Sequence, residues 1–150
     1  MPIFFCPHSI SCHSISTSTV YVSQVIDGDT FIGSGNNRYR IFGIDTMELT
    51  SLNNNELLFA NKAKLCLQKL IEHKEVKITK IGKDKYDRHL VKVYHKSLDI
   101  GDELVAKGLA KVKYISLNKS NPFYTEDYDY YDKLLKTQYQ SFLDKKNLWQ

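Results

Sequence analysis

Three short stretches of this chain set carboxylates beside arginines: Asp27-Gly28-Asp29-Thr30, then Arg40 to Glu48 with Asp45 and Thr46 between, then Asp84-Lys85-Tyr86-Asp87-Arg88. The set suits hydrolysis of a phosphodiester. That substrate is anionic and repels hydroxide, so its charge must be neutralised, a water aimed in line and the crowded transition state stabilised. Asp29 and Asp45 offer hard oxygen ligands of the kind calcium or magnesium takes. With two direct carboxylates and no surrounding cage, calcium is the better fit, its shell completed by a backbone carbonyl and waters. Asp27 can add outer charge or simply form an Asx turn. Glu48, three residues past Asp45, can meet a metal-bound or neighbouring water and is the candidate general base. Arg40 and Arg88 are planar forks that can each grip two phosphate oxygens and keep their charge at working pH. Taken singly, the aspartates read as turn residues and the arginines as surface cations pairing with Glu48 or Asp87. Their joint occurrence favours one site.

The elements that must hold these residues alternate short strands with turns. Tyr21 to Ile26 and Thr30 to Ile32 flank the Asp27-Gly28-Asp29 turn, and Gly33 to Asn37 is a strong loop signal. Arg38 to Ile44, Val76 to Ile81 and Leu90 to Tyr94 alternate as strands do, the last with Leu90, Lys92 and Tyr94 on one face and Val91 and Val93 on the other. A helix from about Glu56 to His73 follows the Asn53-Asn54-Asn55 capping cluster, with Phe59, Ala63, Cys66, Leu67 and Leu70 at helical spacing. A second runs from about Asp99 to Lys107 and stops at Gly108. A third spans about Thr125 to Lys146 and is expected to bury Tyr128, Tyr131, Leu135 and Phe142. Five strands and three helices predict an α+β, mainly β, chain: a small five-stranded Greek-key barrel.

A length of 150 residues is the size of one domain with one core, and 42% hydrophobic with 25% charged residues is ordinary for a globular chain. No apolar run reaches the length of a membrane span. The net charge of +4 is unevenly placed: residues 62 to 113 hold fourteen Lys/Arg against seven Asp/Glu, whereas residues 1 to 61 hold two against five. A basic middle beside an acidic front fits a polyanion partner, although a solvated lysine-rich surface would give the same count. Residues 1–19 are expected to be a disordered tail, with the domain at 20–150. Met1-Pro2-Ile3-Phe4-Phe5 lacks the basic start and long apolar block of a secretory signal. Cys6, His8, Cys12 and His13 match no common zinc spacing, and three cysteines argue against a closed disulfide framework.

Val25-Ile26-Asp27-Gly28-Asp29-Thr30, Tyr39-Arg40 with Asp45-Thr46 and Glu48, Asp84-Lys85-Tyr86 with Arg88, and Gly108-Leu109-Ala110-Lys111-Val112 resemble, in the same order, the staphylococcal nuclease (thermonuclease) family. The likeness runs from about Tyr21 to Tyr114 and returns at Asn147-Leu148-Trp149. It implies the oligonucleotide-binding (OB) barrel and a calcium-dependent nuclease of low sequence specificity, acting on single-stranded DNA and RNA. Cleavage would break the 5′ P–O bond and leave 3′-phosphates. By the same resemblance Asp29 and Asp45 are side-chain calcium ligands and Thr46 a carbonyl ligand, with Arg40 and Arg88 on the phosphate and Glu48 the base. Lys85 and Tyr86 would contact a terminal phosphate, and Tyr114 would pack near the base. A monomer is expected. The chain departs from the pattern at Met47, where proline is usual, at Asp87 in place of glycine, and at Ser116 in place of a second base-packing tyrosine. Between Tyr114 and the last helix the chain gains length, with Asn118 to Tyr131 rich in Asn, Asp and Tyr. The alternative is a non-catalytic module on the same barrel that binds single-stranded nucleic acid.

Overall fold

The computed structural model describes residues 16–150. Eight strands and three helices follow one another: β1 (Thr17–Val25), β2 (Thr30–Gly33), β3 (Asn37–Ile41), β4 (Ile44–Thr46), α1 (Asn54–Ile71), β5 (Glu75–Lys83), β6 (His89–His95), β7 (Leu98–Asp99), α2 (Ile100–Ala106), β8 (Ala110–Val112) and α3 (Tyr128–Leu143). Short 3-10 turns occupy Ser34–Asn36 and Asn147–Trp149. The main sheet runs β3-β2-β1-β5-β6-β7, and β3 also pairs with β6, which closes five strands into a barrel. Every barrel pairing is antiparallel except β3 with β6, which is parallel through Tyr39↔His89, Arg40↔Leu90 and Ile41↔Val91. Closure leaves few strand edges open to other chains. Register irregularities at Val22/Gln24 in β1 and Lys80/Gly82 in β5 let these long strands bend around the barrel. This is the expected OB-type α+β fold.

Inside the barrel, Val22, Val25, Phe31, Ile41, Ile78, Val91 and Val93 are sealed from solvent. Leu67 and Ile71 of α1, Leu104 of α2 and Leu134 of α3 join the same cluster. Asn53 caps α1 by accepting from the N–H groups of Asn55 and Glu56, as the asparagine cluster predicts. Gly108 stops α2 at φ 66, and a Cβ there would stand 2.3 Å from the Lys146 carbonyl oxygen. Leu148 N–H donates to the Gly108 carbonyl, so the stop also pins the chain's last turn.

Several expectations change. Thr17 to Thr19, assigned to a tail from the sequence, pair with Lys77 to Thr79 at the start of β1. The Cys6, His8, Cys12 and His13 positions lie outside the described residues. The single strand expected from Arg38 to Ile44 is broken by a turn at Phe42-Gly43, with Gly43 at φ 83, and β4 pairs with β8 instead. On β6 both faces are covered from Leu90 to Val93, and Lys92 is buried in an ion pair with Asp127. On α1 the innermost residues are Ala60, Ala63, Leu67 and Ile71, with Cys66 and Leu70 only flanking the core. On α3 the buried residues are Tyr130, Leu134 and Ser141, whereas Tyr128, Leu135 and Phe142 are exposed. The burial pattern sits one residue out of step, about 100° of helix rotation. Aromatic residues occur all round this helix, so spacing alone could not orient it. Its direction is set where the Tyr130 hydroxyl donates to the Phe42 carbonyl at 3.0 Å.

Candidate active site

The Asp27–Asp29 turn is tight because α1 packs on it: a Cβ on Gly28 would stand 2.7 Å from both Ala63 Cβ and Thr46 Oγ1. Asp27 Oδ1 accepts from the Asp29 N–H at 3.0 Å, an Asx turn that presents the next carboxylate. Asp29 is buried, and its Oδ2 accepts from Thr46 N–H (3.2 Å), Thr46 Oγ1 (3.3 Å) and Arg40 Nη2 (3.3 Å). The same Arg40 nitrogen reaches Asp45 Oδ1 at 3.1 Å, so one guanidinium group serves both aspartates. Arg40 Nη1 donates to the Ile44 carbonyl at 3.1 Å, and Lys113 Nζ stands 3.5 Å from Asp45 Oδ2.

Barrel closure supplies the second arginine. Pairing of Tyr39 with His89 sets β3 beside the residue that follows Arg88. Arg88 closes the β5–β6 hairpin, where Asp84 N–H donates to the Arg88 carbonyl at 3.0 Å. Asp84 then fixes the guanidinium group: its Oδ2 accepts from Arg88 Nε at 2.7 Å, and its Oδ1 accepts from the backbone of Tyr86 and Arg88. Burial pushes the Asp84 carboxyl up, but these hydrogen bonds and the Arg88 charge outweigh it and hold the group below its ordinary range. Arg88 Nη1 turns towards Thr30 Oγ1 at 3.5 Å, and the guanidinium carbon lies 5.3 Å from the Tyr86 ring centroid.

One open cleft of about 630 Å³ takes in Asp29, Arg40, Asp45, Glu48, Lys85, Tyr86, Arg88 and Tyr114. Of the residues given ligand, catalytic or substrate roles from the sequence, Thr46 is not part of the lining; it sits buried behind Asp29. Glu48 is exposed in the turn after β4, and its carboxylate has no ion pair or hydrogen bond among the described residues. Arg40 does not pair with Glu48, nor Arg88 with Asp87. Asp87 instead meets Lys83 at 3.0 Å and points outwards with its side chain 85% exposed, so its charge stays off the Arg88 fork. Its backbone adopts the left-handed conformation, φ 61, which glycine takes more readily than aspartate.

The carboxylates crowd one another. Burial and the neighbouring Asp29 charge push the Asp27 carboxyl up to about 6. Asp29 and Asp45 converge on the same Arg40 nitrogen, which offsets the charge of both. Among the described residues no cluster of three or more His, Cys, Asp or Glu side chains forms a cage. Asp29 and Asp45 offer carboxylate oxygens, and a hard divalent ion held here would need a carbonyl and waters to complete its shell.

Sequence reasoning missed three contributors. Asp84, named in the third stretch but given no role, holds Arg88, and the i,i+4 Asp–Arg spacing across a hairpin was its available signal. Lys113 flanks Asp45 and lies 4.9 Å from the Tyr114 ring. Phe123, from the added segment, packs on Tyr114 with centroids 5.2 Å apart and lines the cleft. Nothing in the sequence placed Phe123 there.

The sequence profile of a family described as Staphylococcal nuclease homologue matches residues 38–150. The chain is 27% identical over 146 residues to a protein named Thermonuclease from Staphylococcus hyicus, covering 94% of this chain and 81% of that one. It is 31% identical over 105 residues to a protein named Uncharacterized endonuclease from Haemophilus influenzae, covering 67% of this chain and 56% of that one.

Proposed function

The chain belongs to the Staphylococcal nuclease homologue family and carries its nuclease-like domain, and on that premise we propose that it is a calcium-dependent nuclease hydrolysing DNA and RNA. The observation that carries the reading is the single cleft in which Arg40 spans Asp29 and Asp45 while Glu48 and Arg88 line the same walls. Asp29, Asp45 and the Thr46 carbonyl would hold the ion, which when bound polarises the phosphate and satisfies the carboxylates that Arg40 now serves.

The chain's own groups do the remainder. Arg88, fixed by Asp84 through Nε, keeps its outer nitrogens for equatorial phosphate oxygens. Arg40 adds a second positive fork once its contacts to the two aspartates are exchanged for phosphate oxygens. Glu48, without a protein partner for its carboxylate among the described residues, accepts the proton of the attacking water. The water oxygen bonds to phosphorus as the P–O5′ bond breaks, the 5′-oxygen takes a proton from solvent, and phosphate stays on the 3′ side. Lys85 and Tyr86, exposed at the rim, contact a terminal phosphate, and Tyr114 receives the base.

The test is incubation of purified protein with single-stranded DNA and with RNA, first with calcium and then with chelator. Calcium-dependent cleavage leaving 3′-phosphate ends is expected. Binding without cleavage in calcium would sink the hydrolytic reading in favour of a non-catalytic nucleic-acid module.

A further inference from the structure

The added segment between Tyr114 and α3 is stitched down at both ends of a short turn. Ser116 N–H donates to the Phe123 carbonyl at 2.9 Å, and Thr125 N–H donates to the Ser116 carbonyl at 2.8 Å. Asn121 Oδ1 accepts from the Phe123 N–H at 2.8 Å. Thr125 is itself buried and accepts from the Asp127 N–H, and Asp127 is tied to the buried Lys92. The segment is therefore a built part of the cleft wall. Its product is the placement of Phe123, half-buried, with its ring tilted 56° to that of Tyr114. Tyr114 is 38% exposed, sits at φ 55 and has the Arg40 guanidinium carbon 5.1 Å from its ring centroid. A left-handed backbone at a tyrosine costs energy, and it persists here where the ring meets the cleft.

Two aromatic rings in an open cleft, one against a phosphate-sized cationic fork, match an unpaired nucleobase beside its own backbone phosphate. A base in a duplex has both faces occupied by its stacking neighbours and offers no free face to such a wall. We propose that Phe123, carried into the cleft by the added segment, is a further base-binding residue that stacks an unpaired base beside Tyr114. The proposal rests on the nucleic-acid reading of the cleft but not on cleavage.

The test is equilibrium binding in chelator of a short single-stranded DNA, of the same strand with abasic sites, and of its duplex. The parent is expected to bind the single strand about tenfold more tightly than the abasic strand, and F123A to lose about tenfold on the intact strand only. F123W, which keeps an aromatic face, is expected to restore binding, and thermal melting of each variant separates lost contact from lost fold. The proposal is overturned if the parent does not bind, if folded F123A binds as the parent does, if it weakens intact and abasic strands equally, or if duplex binds as tightly as single strand. Phe123-dependent binding with no cleavage in calcium would overturn only the hydrolytic reading.

Discussion

Arg88 owes its orientation to Asp84. Asp84 takes the Nε and two backbone N–H groups of its own hairpin, which leaves the far side of the guanidinium fork facing the cleft. Arg88→Ala and Glu48→Gln are each expected to lower the cleavage rate at least about a hundredfold, on the order of 3 kcal/mol, with melting close to the parent. If purified Glu48→Gln digests DNA as fast as the parent, that carboxylate is not the base. Asp84→Asn keeps an acceptor for the backbone but not the charge. It is expected to retain most of the stability while lowering the rate about tenfold, the loss of a charge-assisted hydrogen bond. At Asp87 the left-handed backbone favours glycine, and the exposed pair with Lys83 is worth little. Asp87→Gly should therefore stabilise the fold by about 0.5–1 kcal/mol in urea melts.

Two joints between elements carry the next consequences. Gly108 ends α2 in the left-handed region against the Lys146 backbone, so Gly108→Ala meets both conformational strain and a clash that no side-chain rotation relieves. A loss of about 2 kcal/mol or more is expected, together with loosening of the Asn147–Trp149 turn. At the other joint Asp127 caps α3 through the Tyr130 N–H and pairs with Lys92. Burial pushes its carboxyl up, but the Lys92 hydrogen bond, the Tyr130 N–H and the charges of Lys92 and Lys133 win and hold it low. The unfolded chain takes up that proton first as pH falls. The stabilisation is therefore present above about pH 4 and is lost as the pH drops through the folded value. Asp127→Asn should flatten this part of the acid dependence, seen by comparing melting at pH 6 and pH 3 with the parent.

At the scale of the whole molecule, the acidic cluster and the basic surround pull in opposite directions. Asp27, Asp29 and Asp45 lie close together, and Arg40 bridges two of them. Ion binding in the folded state should raise the melting temperature, by an amount equivalent to about 2.7 kcal/mol at a hundredfold excess over the dissociation constant. Asp45→Asn should lose that response, whether or not either protein is active. A Tm unchanged by calcium in the parent would remove the ion from the mechanism. No described helix is long and apolar enough to cross a membrane.

The pieces that depend on near neighbours were legible in the residues themselves. The Asp27–Asp29 turn, the Asn53 cap, the Gly108 stop and the barrel strands follow from local backbone preference and alternation, which are properties of short windows. The same windows named the carboxylates and arginines, because their chemistry is intrinsic to the side chain. Tertiary structure decided what depends on partners distant in the chain. Parallel pairing of β3 with β6 brings Arg40 and Arg88 to one cleft, and pairing of β4 with β8 carries Tyr114 to Asp45. The face of α3 was fixed by Tyr130 reaching Phe42, and the aromatic neighbour of Tyr114 by hydrogen bonds from Ser116 to a segment whose sequence reads only as a loop. Such contacts form only after loop closure and burial, and no window of neighbouring residues contains that information.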